Sequence, residues 1–296
     1  MEKKIEFLFA AISGASFGFL PIFAKLAYNS GGNATTVLAV RFTVAAIIMW
    51  SICFIKKLDY KIDRKRILYL ILMGSIGYNS TTAAYFSALN YISTPLVSLI
   101  FYTNPILVSV LSYFIIKEGA SRNKIVALIL SSIGLMMIVG FSIGTANIMG
   151  IILAAIAALF YSFYIIAGHK VRGLDPVVVT TYVTTGCSIT VNLAGIITRN
   201  MIKMSYTAWI YSLLTAVFAT VVAILTFYEG MKRIGPSQVA IISTIEPIVT
   251  TIMSAVIFND ILSIPQVTGG ILIIAGIIIL QRPEKKDIEI EQDEFA

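Results

Sequence analysis

The chain has 296 residues, 58% of them hydrophobic and only 12% charged, against about 25% charged in an ordinary soluble domain. Its mean hydropathy of +0.90 excludes a soluble globular class and implies a polytopic membrane protein in contact with the lipid bilayer. The net charge of +7 does not indicate a nucleic-acid partner, because the basic residues fall between apolar runs and form no patch with interleaved aromatics.

A helix that crosses the hydrocarbon core needs about 20 apolar residues, and only helices or closed barrels satisfy the backbone there. Runs of this length without strict alternation predict helices. In chain order the expected spans are 5–28, 34–56, 66–89, 92–117, 122–142, 146–169, 176–198, 205–231, 236–259 and 264–281. The first, opening MEKKIEFLFAAISGASFGFL, resembles a signal sequence, but further spans follow it and it reads as an uncleaved first helix. Cys53 and Cys187 both lie in apolar runs, so no disulfide framework is expected.

Basic residues set the orientation. With the N-terminus in the cytoplasm, the inside segments hold 18 of the 22 Lys and Arg residues, and the outside loops only Arg199 and Lys203. That asymmetry places both termini inside, in the cell membrane. The acidic tail, 282–296, reads as a disordered cytoplasmic end.

A shift of 142 residues lays Ile92–Ile138 on Ile234–Leu280 without a gap. Eleven of these 47 pairs are identical, among them Pro105/Pro247, Ser112/Ser254, Ser121/Ser263 and Gly134/Gly276, and Glu118 falls on Asp260. The chain therefore reads as two repeats, 1–142 and 146–281, each of five helices. An odd number of crossings inserts the second copy upside down. The fold class expected is all-α, ten transmembrane helices as two inverted repeats, a transporter architecture with its site near the midplane.

Four stretches resemble the drug/metabolite transporter superfamily, in particular its EamA-type members. They are NPILVSVLSYFIIKEGASRNKIVALILSSIGLMMI (104–138), its second copy EPIVTTIMSAVIFNDILSIPQVTGGILIIAGIII (246–279), ASFGFLPIFAKLA (15–27) with its terminal Lys, and AVRFTVAAIIM (39–49) with its Arg. Asp260 departs from the Glu more common at that position in the second copy. The resemblance implies ten helices around a central cavity lined by helices 1, 3, 4, 6, 8 and 9. It also implies secondary transport, often export of amino acids or other small metabolites.

Glu246 lies about ten residues into its span. An ionised carboxylate at that depth costs about 2.5–3.5 kcal/mol on insertion scales. It must face a wet cavity, pair, or take up a proton; alternatively it bonds to hydroxyls such as Thr244 or Thr250 and only holds helices together. Asn104 occupies the aligned position. Pro105 and Pro247 each remove a helix hydrogen bond and bend the chain. Tyr78, Asn79, Thr82, Tyr85 and Phe86 recur at three- and four-residue steps and share one face. Tyr102, Tyr161 and Tyr164 are further polar aromatics within spans. All suit either a cavity wall or interhelical packing through buried hydroxyls. Lys25 and Arg41 are expected to snorkel to the interface. Glu118 and Asp260 read as helix-end bonds or loop pairs, Glu229 as an ion pair with Lys232, and His169 as an exposed helix end. The small-xxx-small segments 14–18 and 140–144 predict close helix contact, within the fold or in a homodimer.

No phosphate loop, H-E-x-x-H pair or G-x-S-x-G turn occurs. Neither a cofactor nor a metal is expected, and the chain does not read as an enzyme. The expectation is a secondary transporter exporting a small-molecule substrate. The alternatives are an uptake carrier or exchanger on the same fold, or a non-transport membrane enzyme or assembly subunit. Impermeant labelling of tags at the two termini should mark both from the cytoplasmic face of the membrane. Tags on opposite faces would refute the even number of crossings.

Overall fold

A computed structural model describes residues 2–88, 90–140 and 147–282. The tail residues 283–296, and most of the 140–144 segment, lie outside the described residues. The described chain is helical and contains no strand. In order, the helices are α1 (Glu2–Gly18), α2 (Leu20–Asn29), α3 (Ala34–Ile55), α4 (Arg64–Leu72), α5 (Asn79–Ala88), α6 (Thr94–Phe101), α7 (Asn104–Leu111), α8 (Arg122–Val139), α9 (Ile148–His169), α10 (Pro176–Ile197), α11 (Tyr206–Ala216), α12 (Ala223–Ile242), α13 (Glu246–Phe258) and α14 (Ile264–Leu280). Wide π turns at Met73–Tyr78 and Val217–Val222 join α4 to α5 and α11 to α12; a third, Ser112–Ile116, ends α7.

Polar caps start several of these helices. Asn33, Ser121, Asn147, Asp175 and Ser205 each accept a backbone N–H two or three residues on. Lys117 and Asn259, which the 142-residue shift superimposes, both take left-handed backbone, φ 59° and 58°.

Seven described helical stretches are long and apolar enough to cross a membrane. They differ from the expected spans in three places. The expected spans 205–231 and 236–259 form one apolar run of 53 residues, Tyr206–Phe258. As a straight helix this would measure about 80 Å, against a hydrocarbon core of about 30 Å. Gly235 (φ 80°, ψ 167°), followed by Pro236, breaks it. Expected span 66–89 is continuously helical over Arg64–Ala88, yet it is absent from the seven, because Tyr78-Asn-Ser-Thr-Thr82 dilutes its apolar character. Expected span 264–281 is helical over 17 residues.

Contacts between helices fix their relative directions. Along α1, Glu6 pairs with Arg233, Ala10 meets Gly230 and Ser13 donates to the Ala223 carbonyl, so α1 and α12 run antiparallel. Gly14 meets Ile245 and Gly18 meets Val249, so α1 and α13 run parallel. The chain therefore reverses at Gly235. Helices α3 and α10 are antiparallel, tied by Thr43–Ser188, Trp50–Thr185 and Cys53–Thr181. Helices α8 and α14 are antiparallel and in close contact. Gly134 lies against the Gly269 backbone and Gly276 against Ala127, two contacts that the same shift maps onto each other.

The two ends of the bundle differ in charge. At one end gather Glu6 with Arg233, Glu118 with Lys124, Asn123 with the Arg282 carbonyl, and Glu229 within electrostatic reach of Lys232 and Lys56. At the other, uncharged groups make the ties: Asn33 to the Asn200 carbonyl, Ser205 to the Ser30 carbonyl and Thr36 to the Ile202 N–H.

A side chain added at Gly134 would run into the Gly269 carbonyl, whereas nothing lies within 4 Å of a Cβ at Gly119. Gly134→Leu should therefore destabilise by at least the 1–3 kcal/mol typical of overpacking, read as a lower thermal midpoint in detergent. Gly119→Ala should leave the midpoint unchanged. Equal midpoints would refute the close approach of α8 and α14.

Candidate functional site

Three helix breaks converge on Glu246. Helix 1 is interrupted at Phe19, between α1 and α2, with Pro21 at the start of α2. The chain between α6 and α7 breaks at Tyr102–Thr103. Between α12 and α13 a single 3-10 turn, Ser243–Ile245, precedes Glu246. The segment 14–18 fits against this turn: Gly14 on Ser243 and Ile245, Gly18 on the Glu246 carbonyl, with Thr250 donating to the Gly18 carbonyl at 2.9 Å. The small residues of this segment are thus used inside the fold.

The two prolines free equivalent carbonyls, and the chain satisfies them differently. Pro105 leaves the Phe101 carbonyl without its helical donor, and the side-chain amide of Asn104 donates to it at 2.9 Å. Asn104 is buried, with this as its local task. Pro247 frees the Ser243 carbonyl, which instead accepts the backbone N–H of Glu246 in the 3-10 turn. The Glu246 carboxylate, aligned with the Asn104 amide, is thereby left without a capping role.

That carboxylate accepts one hydrogen bond, from the Tyr102 hydroxyl at 3.3 Å, and forms no ion pair among the described residues. Glu246 as a whole residue is half-buried, and groups from several helices surround its carboxylate. Tyr78, Tyr85, Tyr102 and Tyr161 are all close enough to feel its charge. The two hydroxyls proposed as its structural partners are engaged elsewhere, Thr244 with the Ile241 carbonyl and Thr250 with Gly18.

From Glu246 a continuous aromatic wall leads to Arg41. Tyr102 adjoins Phe101 (5.8 Å between ring centres), Phe101 adjoins Tyr161 (5.4 Å), Tyr161 stacks on Tyr164 (6.1 Å), and Tyr164 meets Tyr78 edge-on (5.5 Å). Tyr85 joins through Phe101 and bonds to Ser98 at 2.8 Å. Tyr228 donates to the Tyr164 hydroxyl at 2.9 Å. Thr82 bonds back to the Tyr78 carbonyl. The face expected to hold Tyr78, Asn79, Thr82, Tyr85 and Phe86 together divides. Asn79 and Phe86, seven residues apart on one edge of the stripe, leave it: Asn79 turns to the Cys187 carbonyl on α10, and Phe86 is exposed.

Arg41 does not snorkel. It is 2% exposed, and its guanidinium donates to Thr220 Oγ1 at 2.6 Å, to the Ala219 carbonyl at 3.0 Å and to the Tyr78 hydroxyl at 3.1 Å. All three acceptors sit in the π turns of helical stretches Arg64–Ala88 and Tyr206–Ile242. Arg41 therefore bridges the π turns of two helical stretches, one from each half of the chain. Depth along α3 suggested an interfacial residue; the direction of the side chain, inward to two widened turns, decides otherwise. Thr220, Phe101 and Tyr228 were not anticipated. Phe101 directly precedes Tyr102.

Lys25 is exposed, with its ammonium 4.0 Å above the Phe258 ring. Glu118 Oε1 accepts from Lys124 at 2.9 Å, and Asp260 accepts from Ser254. Both acids therefore close helix ends, and neither is near Glu246. His169 is half-buried, with Nδ1 unbonded among the described residues. No group of three or more metal-ligating residues occurs among the described residues.

Arg41→Ala would strip three acceptors of their donor, and buried unsatisfied groups cost about 1–3 kcal/mol each. It should lower the thermal midpoint far more than Lys25→Ala, which removes one exposed cation–π contact of about 0.5–1 kcal/mol. Equal effects would contradict the inward placement of Arg41.

Comparison with known proteins adds the family. The model of the EamA-like transporter family matches twice, at residues 4–140 and 148–282. The uncharacterized transporter YyaM of Bacillus subtilis is 25% identical over 91% of this chain and 90% of its own. The uncharacterized transporter YxxF of the same organism is 22% identical over 98% and 94%, and the WAT1-related protein At2g37460 of Arabidopsis thaliana 24% identical over 97% and 85%. A crystal structure with 17% identity superposes with a TM-score of 0.84, covering 94% of this chain and 96% of the other, which shows a shared fold. With two matches that together span nearly its whole length, the chain belongs to the EamA-like transporter family of the drug/metabolite transporter superfamily.

Proposed function

We propose that this protein is a secondary transporter that moves a small solute by alternating access, in the export direction, around a central site at Glu246. The observation that carries this reading is Glu246 itself: half-buried deep in an apolar bundle, its carboxylate bonded to one hydroxyl and without an ion pair among the described residues. A charge so placed is costly unless it serves an aqueous chamber, a proton or a cationic group. The tyrosine wall beside it suits a solute with an apolar body.

In the same reading the chain makes ten crossings as two inverted five-helix repeats. The Gly134–Gly269 and Gly276–Ala127 contacts, exchanged by the 142-residue shift across an antiparallel pair, support this, as do the matched left-handed caps at Lys117 and Asn259. The end that gathers the basic residues is then cytoplasmic. Glu246 takes up and releases the coupling proton or the solute's cationic group as the two halves exchange access.

Reconstituted vesicles with an imposed proton gradient test this, with a panel of labelled metabolites screened first by thermal shift. Glu246→Gln keeps the shape and removes the charge; it should abolish gradient-driven accumulation while leaving the fold intact. Full flux in the variant at every pH would remove Glu246 from the mechanism.

A further inference from the structure

A second site lies far from Glu246, at the basic end. A cavity of about 480 Å³ opens between α4 and the turn that links α9 to α10, lined by Lys65, Arg66, Tyr69, Lys170, Val171 and Leu174, with Gly173 at its edge. Its character is amphipathic. Val171 is buried and Leu174 half-buried, giving an apolar floor. The Tyr69 ring forms one wall, fixed by its hydroxyl, which donates to the Ala167 carbonyl at 3.1 Å. Three exposed cations stand around the mouth, and no carboxylate lines it.

The neighbouring acids are already engaged. Asp63 accepts the Lys65 N–H and Asp175 the Val177 N–H, each capping its helix. Glu229 lies within reach of Lys232, Lys56 and Arg233. Lys65, Arg66 and Lys170 form no ion pair among the described residues. An unneutralised cation triad at the end of membrane-spanning helices, over an apolar floor, matches a ligand with an anionic head and a hydrocarbon body.

We propose that this cavity binds the phosphate headgroup of an anionic phospholipid from the adjoining leaflet, with the first acyl carbons on Val171 and Leu174. Basic pockets between spanning helices hold such headgroups through charge, and each Lys or Arg near the surface adds attraction worth about a fivefold change in binding. The ligand would bridge α4, from the first half of the chain, and the α9–α10 turn, from the second. It would thus tie together two elements that the transport reading sets in relative motion, although the site itself does not rest on that reading.

The test uses the purified full chain in neutral detergent, with bound lipid counted by native mass spectrometry. Phosphatidylglycerol should bind more tightly than phosphatidylcholine. Removing all three cations, Lys65→Gln with Arg66→Gln and Lys170→Gln, should erase the preference, a loss of about a hundredfold at fivefold per cation. Arg199→Gln with Lys203→Gln, at the other end, should preserve it, and circular dichroism should show unchanged helicity in both. Equal binding of the two lipids, or retention of the preference in the triple variant, overturns the proposal. Displacement of phosphatidylglycerol by millimolar inorganic phosphate would also overturn it, by identifying a free-anion site. A preference found in a chain that moves no solute would leave this site standing and remove only the transport reading.

Discussion

Hydrocarbon offers no hydrogen bonds, and nearly every unusual feature of this chain answers that fact. A backbone carbonyl freed by proline, a buried guanidinium and a buried carboxylate all need partners from inside the bundle. The Phe101 carbonyl finds one in the Asn104 side chain, the Ser243 carbonyl in a tightened 3-10 turn, and Arg41 in two widened turns. The Glu246 carboxylate alone is left with a single hydroxyl. Among these groups it is the least satisfied.

The difference between the two halves matters more than their likeness. Asn104 and Glu246 occupy the same position in two copies of one helix. An amide has both donors and acceptors, so it can cap a carbonyl in any protonation state. An ionised carboxylate only accepts, so it cannot take over that cap, and the backbone does the work in its place. One copy has become a fixed brace, and the other presents a titratable group. Arg41 instead spans the two halves, gripping Tyr78 in one π turn and Thr220 in the other. The π turns make this possible, because a wider turn exposes carbonyl and hydroxyl acceptors that a regular helix would use internally.

Much of the fold was legible in the sequence, because length of apolar run and spacing of Pro and Gly are read along one dimension. The repeated glycines Gly134 and Gly276, each packed against the facing helix, belong to this class. Direction around a helix axis was less legible. Arg41 lies at a depth where snorkelling is feasible, and nothing in its neighbours announced that the π turns would receive it. Asn104 read as the position aligned with Glu246, but a side chain three residues beyond a freed carbonyl reaches that carbonyl first. The stripe from Tyr78 to Phe86 proved wider than the surface available to it, so Asn79 turned to α10 and Phe86 to the exposed side.

The central claim is that Glu246 faces water enclosed by the bundle. In a background lacking Cys53 and Cys187, a cysteine placed by Glu246→Cys can be tested with a polar, membrane-impermeant thiol reagent. A second placed by Ile252→Cys, on the exposed flank of the same helix, serves as the lipid-facing reference. The account predicts that the polar reagent modifies the position 246 cysteine and spares position 252, which should yield only to a lipid-soluble reagent. Reaction at 246 with the lipid-soluble reagent alone would place the carboxylate against hydrocarbon and contradict the account.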